Sequence, residues 1–588
     1  MSGGRRNPVP PSRHPAEART IKAVRRGGKH PHSYLVGRPD AETVLFPALS
    51  AGPALAPDEA PESSTTGAEE RRFYTRPFDA IRLLSADAVD GRPSRRRTVI
   101  SRLVLLAILS CQAIVTLRLH NTAYQDEAQY LYAGHMQIAR WLRGTALQGT
   151  YSSYFAGSPL LYPVLAAAVS AAGGLAAARA LSLAEMLVVT ALLYSLTRQL
   201  FNERVGLCAA AVFAVTEPAV LLGRLATVDA SSLCLLAVAA WLVVRTAPWD
   251  SRAYLLAAPV AALAVATSYA AIFFLPTLAV LAGLAAYPHR GHGALARVPV
   301  LGALSFLLAA GAGAIAGQQY LTAVKTTIAA HGTASALQIL ADCGRWGGLS
   351  ISVAIIGAVG YGWHATTEPG EDIALAGDRR RRVALGTCLT GTALIVPALQ
   401  MYLHSEVWLD THVGFGLFFA APVAGVGLVR LVGDHFRRPQ IGILIWAVAL
   451  TLGLGQASQI FGGWPESAQL VTQLSHYLQP GAHYLVEDDD VPIYYLLGRT
   501  DAQPSQFTST YFISFPSAGG HALTGTAGYL AAIKAGYFQV IAYDSTFTPG
   551  LDKALAAALE ASPRYRLAAA FIESAAHSRT TCYIWVRT

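Results

Sequence analysis

VISRLVLLAILSCQAIVTLRLHNTAYQDEAQYLYAGH, Val99 to His135, joins an unbroken apolar run to two adjacent carboxylates, Asp126 and Glu127. The run covers residues 99–119, and a helix needs about 20 such residues to cross a bilayer, or about 17 at the short end. If it crosses, the acidic pair stands just past the membrane surface. Further apolar runs follow near 159–174, 178–198, 205–222, 230–245, 254–270, 271–287, 298–317, 348–364, 383–403, 411–430 and 440–458.

Composition agrees with that texture. The chain is 53% hydrophobic and 14% charged, with a mean hydropathy of +0.38, whereas soluble domains carry roughly 25% charge. The expected fold is mostly α: a polytopic membrane protein with a small α/β domain at its C-terminal end. The net charge of +9 does not indicate nucleic acid. The basic residues gather in the N-terminal tail and in short loops between apolar runs, where the positive-inside rule puts them. Cys111, Cys208, Cys234, Cys343, Cys388 and Cys582 form no CxxC pair and no zinc spacing. Cys343 and Cys582 could both face an oxidising compartment, which leaves a bridge between them open.

Three regions are expected. Residues 1–98 are rich in Pro, Gly, Ser, Ala and Arg and end in Arg95, Arg96 and Arg97. Such a basic tail buries too little apolar surface to order itself, and its start lacks the pattern of a removable secretory signal. FDAIRLLSADAV, from Phe78, reads as solvated tail or as a short amphipathic piece on the membrane surface. Residues 99–458 hold the spans, and residues 459–588 are the α/β domain.

Charge assigns sides. With Arg95–Arg97 cytoplasmic, the first span exits at His120 and places Asp126 and Glu127 outside. The loops with Arg198 and Arg204, Arg245 and Arg252, His289 to Arg297, Arg379 to Arg382, and Arg437 with Arg438 are then cytoplasmic if each run between them crosses once. This holds only if SPLLYPVLAAAVSAAGG, from Ser158, does not cross. That run is short, opens on Pro159 and closes on a Gly pair, so it is expected to be re-entrant or interfacial, leaving about eleven spans. The outer side then collects Asp126, Glu127, Arg179, Arg224, Asp229, the loop 318–347, and His404, Ser405, Glu406, Asp410 and His412.

An ionisable group near a helix end and a cavity is a functional candidate. Asp126 and Glu127 read either as plain interfacial charges or as the acidic first turn of a membrane-parallel helix through QYLYAG that aims Asp126 at a site beneath it. In GRLATVDASS, Gly223 to Ser232, Arg224 and Asp229 flank a turn, and Asp229 is also a good N-cap for the next helix.

QDEAQY after the first span, SPLLYP some 30 residues on, the arginine of ARALSLAEML and RLATVD before a span together resemble the GT-C membrane glycosyltransferases of the protein O-mannosyltransferase and aminoarabinose-transferase type. The resemblance covers 99–460 in layout and is most specific over 120–232. It implies a polyprenyl-phosphate-linked sugar as donor, an acceptor protein, glycan or lipid, and a place in the plasma membrane. By the same resemblance the first-loop acid falls on Asp126 with Glu127 beside it, the second-loop acid on Asp229 and the early arginine on Arg179. The chain departs from the pattern before the proline, where Ala156-Gly157-Ser158 replaces the usual acidic or basic residue. In HSEVWLDTHVGFGLFFAAP, from His404, Thr411 replaces the basic residue that often precedes the histidine, here His412.

Moving a sugar from a lipid phosphate to a hydroxyl needs a base within reach of the acceptor, negative charge near an oxocarbenium-like centre and compensation of the departing phosphate. Asp126 suits the base. Arg179 and Arg224, with His404 or His412, suit the phosphate side, and Asp229 suits the acceptor. A divalent cation is compatible, with Asp126 and Asp229 as oxygen ligands. One base and one leaving phosphate suffice for a single inverting displacement. Tyr124, Tyr130, Tyr132, Trp141, Tyr151, Tyr154, Phe155 and Tyr162 suit sugar stacking or an interfacial belt.

After residue 458 the texture changes. GAHYLVED, YFQVIAYD and CYIWVRT read as strands and HALTGTAGYLAAIKAG as a helix, a compact layer expected to cap the mouth of the site. EDDD, Glu487 to Asp490, reads as a solvated strand end or helix start rather than as a metal cluster. The rival function is a polytopic transporter or lipid-linked substrate flippase. Against it, the two halves show no self-similarity and the charges crowd the outer ends instead of mid-span.

Overall fold

The computed structural model describes residues 95–145, 157–158, 160–249, 251–317, 321–322, 325, 332–363, 378–433, 437–496, 503–516, 521–575 and 579–588. Nearly all of the basic tail expected over 1–98 lies outside them, including the segment from Phe78, as do Tyr151, Tyr154, Phe155 and Pro159. Tyr74–Thr588 forms one compact unit.

The helical part runs α1 (Arg95–Leu117), α2 (Gln125–Arg143), α3 (Tyr162–Leu200), α4 (Glu203–Phe213), α5 (Glu217–Leu222), α6 (Val228–Arg245), α7 (Ala257–Thr267), α8 (Leu275–Arg290), α9 (Arg297–Ala316), α10 (Ala336–Trp363), α11 (Arg379–Thr392), α12 (Ile395–Leu403), α13 (Leu409–Val432) and α14 (Pro439–Gly463). Among the described residues, 7 helices are long and apolar enough to cross a membrane, or up to 8 if the bent pair α11–α12 counts as one. That is fewer than the expected eleven, because two apolar runs are interrupted and because α8 and α9, joined by a 3-10 turn, count as one stretch, Tyr269–Ala316. The 205–222 run breaks between α4 and α5, where Pro218 occupies the first turn of α5 and fixes a helix start. The 254–270 run is a 3-10 turn followed by the short α7. Residues 336–347, expected in a loop, are the first turns of α10. Leu103, Leu106, Phe306, Leu307 and Leu444 are exposed on these helices, as lipid-facing residues of a multi-pass membrane protein are.

The Gly pair that closes SPLLYPVLAAAVSAAGG is a sharp kink. Gly173 and Gly174 are non-helical within α3, and Gly174 has φ 66, a left-handed conformation that only glycine adopts cheaply. Residues 162–172 are thereby a separate short helix, packed against α2. Tyr130, Leu131 and Ala133 of α2 meet Tyr162, Ala166 and Ala178. The backbones touch at Gly134, where a Cβ would stand 1.8 Å from the Pro163 carbonyl oxygen and 2.7 Å from Ala167 Cβ. Gly134→Ala is therefore expected to destabilise the purified protein by about 1–3 kcal/mol or more through overpacking, read as a fall in its melting temperature. Unchanged melting would mean that α2 does not sit on residues 162–172.

α13 is the central helix, buried along nearly its whole length. It meets α10 closely, with glycines admitting each backbone: a Cβ on Gly357 would lie 2.0 Å from the Val423 carbonyl oxygen, and one on Gly427 would lie 2.1 Å from that of Val353. Small residues at such crossings let membrane helices approach.

The C-terminal layer follows as α15 (Ala468–Ser475), β1 (His483–Val486), α16 (Asp490–Leu496), β2 (Phe507–Thr508), β3 (Ser514–Pro516), β4 (Ala522–Thr524), α17 (Gly525–Ala535), β5 (Phe538–Tyr543), α18 (Pro549–Glu560), β6 (Tyr565–Ser574) and β7 (Arg579–Arg587). Five strands form one sheet in the order β2-β1-β5-β7-β6. β1 pairs parallel with β2 and β5, and β7 pairs antiparallel with β5 and β6. The strands expected at GAHYLVED, YFQVIAYD and CYIWVRT are β1, β5 and β7. The expected helix is α17, preceded by β4 instead of starting at His521. α2 joins the two layers, since Tyr132 on its other face belongs to the core of β1, β5 and β7 with Tyr484, Val540 and Ile584. All six cysteines are free, Cys343 in the bundle core and Cys582 on β7, so the Cys343–Cys582 bridge does not form.

Candidate active site

The acidic doublet divides its work. Glu127 is fully buried. Its Oε1 accepts from Arg179 Nε at 2.8 Å and from the Ala226 amide at 2.8 Å; its Oε2 accepts from Arg179 Nη2 at 2.6 Å and from the Tyr124 amide at 2.9 Å. Arg179 donates onward from Nη1 to the Asn121 carbonyl at 2.8 Å and from Nη2 to that of Thr122 at 3.0 Å, and its guanidinium lies over the Phe461 ring at 5.0 Å. A buried carboxylate is tolerable when its lone pairs are filled and its charge is paired. Glu127 and Arg179, placed by sequence in catalysis and phosphate binding, therefore spend their polar atoms on each other. They fix the start of α2 to α3 and to the turn before α6.

The segment between α1 and α2 is bolted down as well. Asn121 Nδ2 donates to the carbonyls of Phe461 and Trp464 at 3.1 and 2.8 Å, and the Ala123 amide donates to the Tyr495 hydroxyl at 3.0 Å. The backbone entering Asp126 is held from both layers.

Asp126, one residue from Glu127, points the other way. It is partly exposed, and its Oδ2 accepts from Trp408 Nε1 at 3.3 Å. Desolvation first, then the negative charges of Asp229, Asp410 and Glu127, push its carboxyl up to about 6 against the bond from Trp408. Asp229, in the first turn of α6, accepts from Ser268 Oγ at 3.2 Å and stands 3.6 Å from His412 Nε2. Asp126, Asp229, Asp410, His412 and Trp408 thus converge from α2, α6 and the start of α13. Thr227, not Asp229, is the residue before α6, so the N-cap alternative for Asp229 does not hold.

Three non-glycine residues have positive φ among the described residues, and two of them, His404 at 51 and Trp408 at 55, bracket the turn into α13. A bulky residue there carries strain, which surrounding contacts must hold. In this turn the strain presents Trp408 to Asp126. His404 itself is exposed and its Nδ1 meets the Ala334 carbonyl at 3.1 Å; its bonds tie down 332–335 rather than reaching the acidic group. Arg224 gives its Nε to the Leu119 carbonyl at 2.6 Å, and its two terminal nitrogens carry no hydrogen bond among the described residues.

Several groups escaped the sequence reading. Trp408 gave no signal, because its role depends on a contact 282 residues away. Glu185, inside an apolar run, was visible as a lone intramembrane carboxylate; it takes both its bonds from Ser231 Oγ at 2.7 and 2.8 Å. Glu217 is 1% exposed and neither of its oxygens has a hydrogen bond among the described residues; Asp410 and Arg345 lie within electrostatic reach.

Tyr130, Tyr132 and Tyr162 are buried core residues, not stacking platforms, and Tyr124 stacks on Trp464 at 5.1 Å. EDDD lies between β1 and the start of α16 as expected, but Glu487 and Asp488 are buried rather than solvated, while Asp489 and Asp490 are half-buried. Glu487 accepts four backbone amides, from Asp544, Ser545, Phe547 and Thr548, between 2.6 and 2.9 Å, and so holds the loop between β5 and α18. The ligand oxygens of Asp488, Asp489 and Asp490 lie within 4.8 Å of one another; burial, then the charge of Asp490, raises the affinity of Asp489 for protons, and burial, with the charge of Asp126 set against the bond from Gln125, raises that of Asp490. These oxygens have the hard character that divalent cations prefer. Asp126 and Asp229 fit a cation less well, since Asp229 Oδ1 is engaged by Ser268 and His412. Asp490 bonds Gln125 Nε2 at 3.3 Å, which brings the run beside Asp126.

Comparison with known proteins adds the following. Residues 158–312 match the sequence profile of the family described as dolichyl-phosphate-mannose-protein mannosyltransferase. That stretch carries Arg179, Arg224 and Asp229, and over it the resemblance to membrane glycosyltransferases is shown. No curated protein sequence matches the chain. Among solved structures, ArnT from Cupriavidus metallidurans bound to undecaprenyl phosphate is similar at TM-score 0.49 and 14% identity, over 83% of this chain and 97% of that one. The Archaeoglobus fulgidus oligosaccharyltransferase is similar at TM-score 0.45, with 11% identity in its apo form, over 81% of this chain and 74% of that one. Its complex with Zn and sulfate is similar at TM-score 0.45 and 12% identity, over 81% and 72%.

Proposed function

We propose that the chain transfers a sugar from a polyprenyl-phosphate donor to an acceptor hydroxyl at the outer face of the membrane, in a single inverting displacement. The observation that carries this is the convergence of Asp126, Asp229, Asp410 and His412 around Trp408, with Asp126 partly open to solvent and held from behind by the saturated Glu127–Arg179 pair. The profile match over residues 158–312 supports the same reaction class.

In this mechanism Asp126 accepts the proton of the acceptor hydroxyl as the oxygen attacks the anomeric carbon. Asp229 and Asp410 supply the negative field that favours oxocarbenium character. His412, oriented by Asp229, and the terminal nitrogens of Arg224, which have no hydrogen bond among the described residues, stand for the phosphate side. Arg179 leaves that role, since each nitrogen of its guanidinium is bonded to protein, and His404 leaves it because it is turned to the Ala334 carbonyl and away from the acidic group. A divalent cation would add compensation for the leaving phosphate, and no step here is routed through it. The polyprenyl tail stays in lipid while its head reaches water, which requires a site at the membrane rim with α2 along the surface, the N-terminal tail cytoplasmic and residues 459–588 outside.

The test is a labelled polyprenyl-phosphate sugar incubated with membranes containing the chain. Covalent appearance of label in an acceptor, dependent on both Asp126 and Asp229, is expected. Movement of intact label across the bilayer without covalent transfer would instead establish the transporter or flippase.

A further inference from the structure

Between α2 and the C-terminal layer lies a cleft of about 830 Å³, near the upper end of the roughly 300–1,000 Å³ typical of small-molecule pockets. Its inner wall is Gln125 and Gln129, one turn of α2 apart, and Gln125 immediately precedes Asp126. A second wall is Asp489 and Asp490, and the outer wall is the stretch 504–516, which puts Tyr511 and Phe512 into the cleft. Both rings are unusually exposed for their size, Tyr511 at 40% and Phe512 at 69%. Neither is part of the sheet core.

We infer that this cleft binds the acceptor, and that the acceptor is an uncharged glycan chain. Aromatic rings offer flat apolar faces to the C–H face of a sugar, while carboxylates and side-chain amides take and give the hydrogen bonds of ring hydroxyls. Both kinds of group line the same cleft here. No Lys, Arg or His is among the described residues that line it, so none of them pairs with the phosphate or carboxylate of a charged chain. The cleft has room for more than one sugar ring and opens beside the carboxyl assigned as base, so a bound chain end enters the site from the water side while the lipid-linked donor enters from the membrane. Asp490 meets Gln125 at 3.3 Å, so the wall that grips the chain is linked to the residue preceding the base.

This rests on the transferase reading above, and its test needs no turnover. Full-length protein in nanodiscs, without donor, is titrated with fluorescently labelled neutral oligosaccharides: short mannan, glucan and arabinan fragments, with a Ser/Thr-containing peptide alongside. At least one oligosaccharide is expected to bind saturably and the peptide not to bind. Phe512→Ala and Tyr511→Ala are each expected to weaken binding by about tenfold, a loss of one stacking platform. Phe512→Tyr should retain it. Ile572→Ala, exposed on the edge strand opposite β2, should bind as the parent does. Asp126→Asn should keep glycan binding while losing transfer. Binding of the peptide alone, of no oligosaccharide, or equal binding by Phe512→Ala would overturn the proposal. Loss of this binding claim with Asp126-dependent transfer intact would leave the transferase reading standing, and glycan binding without any transfer would remove that reading alone.

Discussion

Asp126→Asn is expected to lower the transfer rate by about 10²–10⁴-fold, the range a positioned general base contributes. The fold should survive. An asparagine oxygen still accepts from Trp408 Nε1, and the buried anchoring of α2 runs through Glu127 instead. The unsubstituted enzyme carries a further signature. A base works only when ionised, and desolvation with three neighbouring acids holds the Asp126 carboxyl up to about 6. Below that pH the group is protonated and cannot take the acceptor's proton, so the rate falls; above it the carboxylate form dominates and the rate levels off. Transfer should therefore climb about tenfold per pH unit on the acid side and flatten above about 6. The residual activity of Asp126→Asn should lack that acid limb. A variant with full activity, or one whose acid limb persists unchanged, would mean that another group is the base.

Glu127→Ala and Arg179→Ala are each expected to cost about 3–5 kcal/mol of stability, the price of leaving one partner of a buried ion pair alone. Removing Arg179 strands the Glu127 carboxylate and also frees the carbonyls of Asn121 and Thr122. Removing Glu127 strands a guanidinium inside the bundle and two amides, those of Tyr124 and Ala226. The double replacement Glu127→Gln with Arg179→Met leaves no buried charge, and its loss should be smaller than the sum of the singles. Melting of the purified protein measures this. If Arg179 instead held the donor phosphate, Arg179→Met would melt like the parent and raise the donor KM, and the second substitution would recover nothing.

These expectations separate two residues that the sequence could not tell apart. QDEAQY offered adjacent carboxylates, and nothing local distinguishes them. Their roles diverge because successive residues on a helix point about 100° apart, so one side chain turns into the bundle and its neighbour turns toward the opening. The partner that claims Glu127 lies 52 residues away. The signals that were read are those carried by local pattern, while Pro218, which breaks the 205–222 run, went unread. Apolar runs mark the helices, the Gly pair marks the kink at Gly173–Gly174, and alternating apolar residues mark β1, β5 and β7. EDDD shows the limit from the other direction. Its position at a strand end was readable, while the burial of Glu487 was not, because the four amides that donate to it come from residues 544–548.

By itself the sequence determined that this is a helical, multi-pass membrane chain with a small α/β layer after residue 458, and that Asp126 and Asp229 flank helix starts. Hydropathy and periodicity are properties of neighbouring residues, so they survive without a fold. Only the tertiary structure decided that Glu127 and Arg179 are spent on each other, that Trp408 reaches Asp126 from a strained turn, and that the acidic run of the C-terminal layer stands beside α2. Each of those is a short-range contact between groups far apart in the chain, and hydrogen bonds and ion pairs depend on distance in space, which packing alone sets.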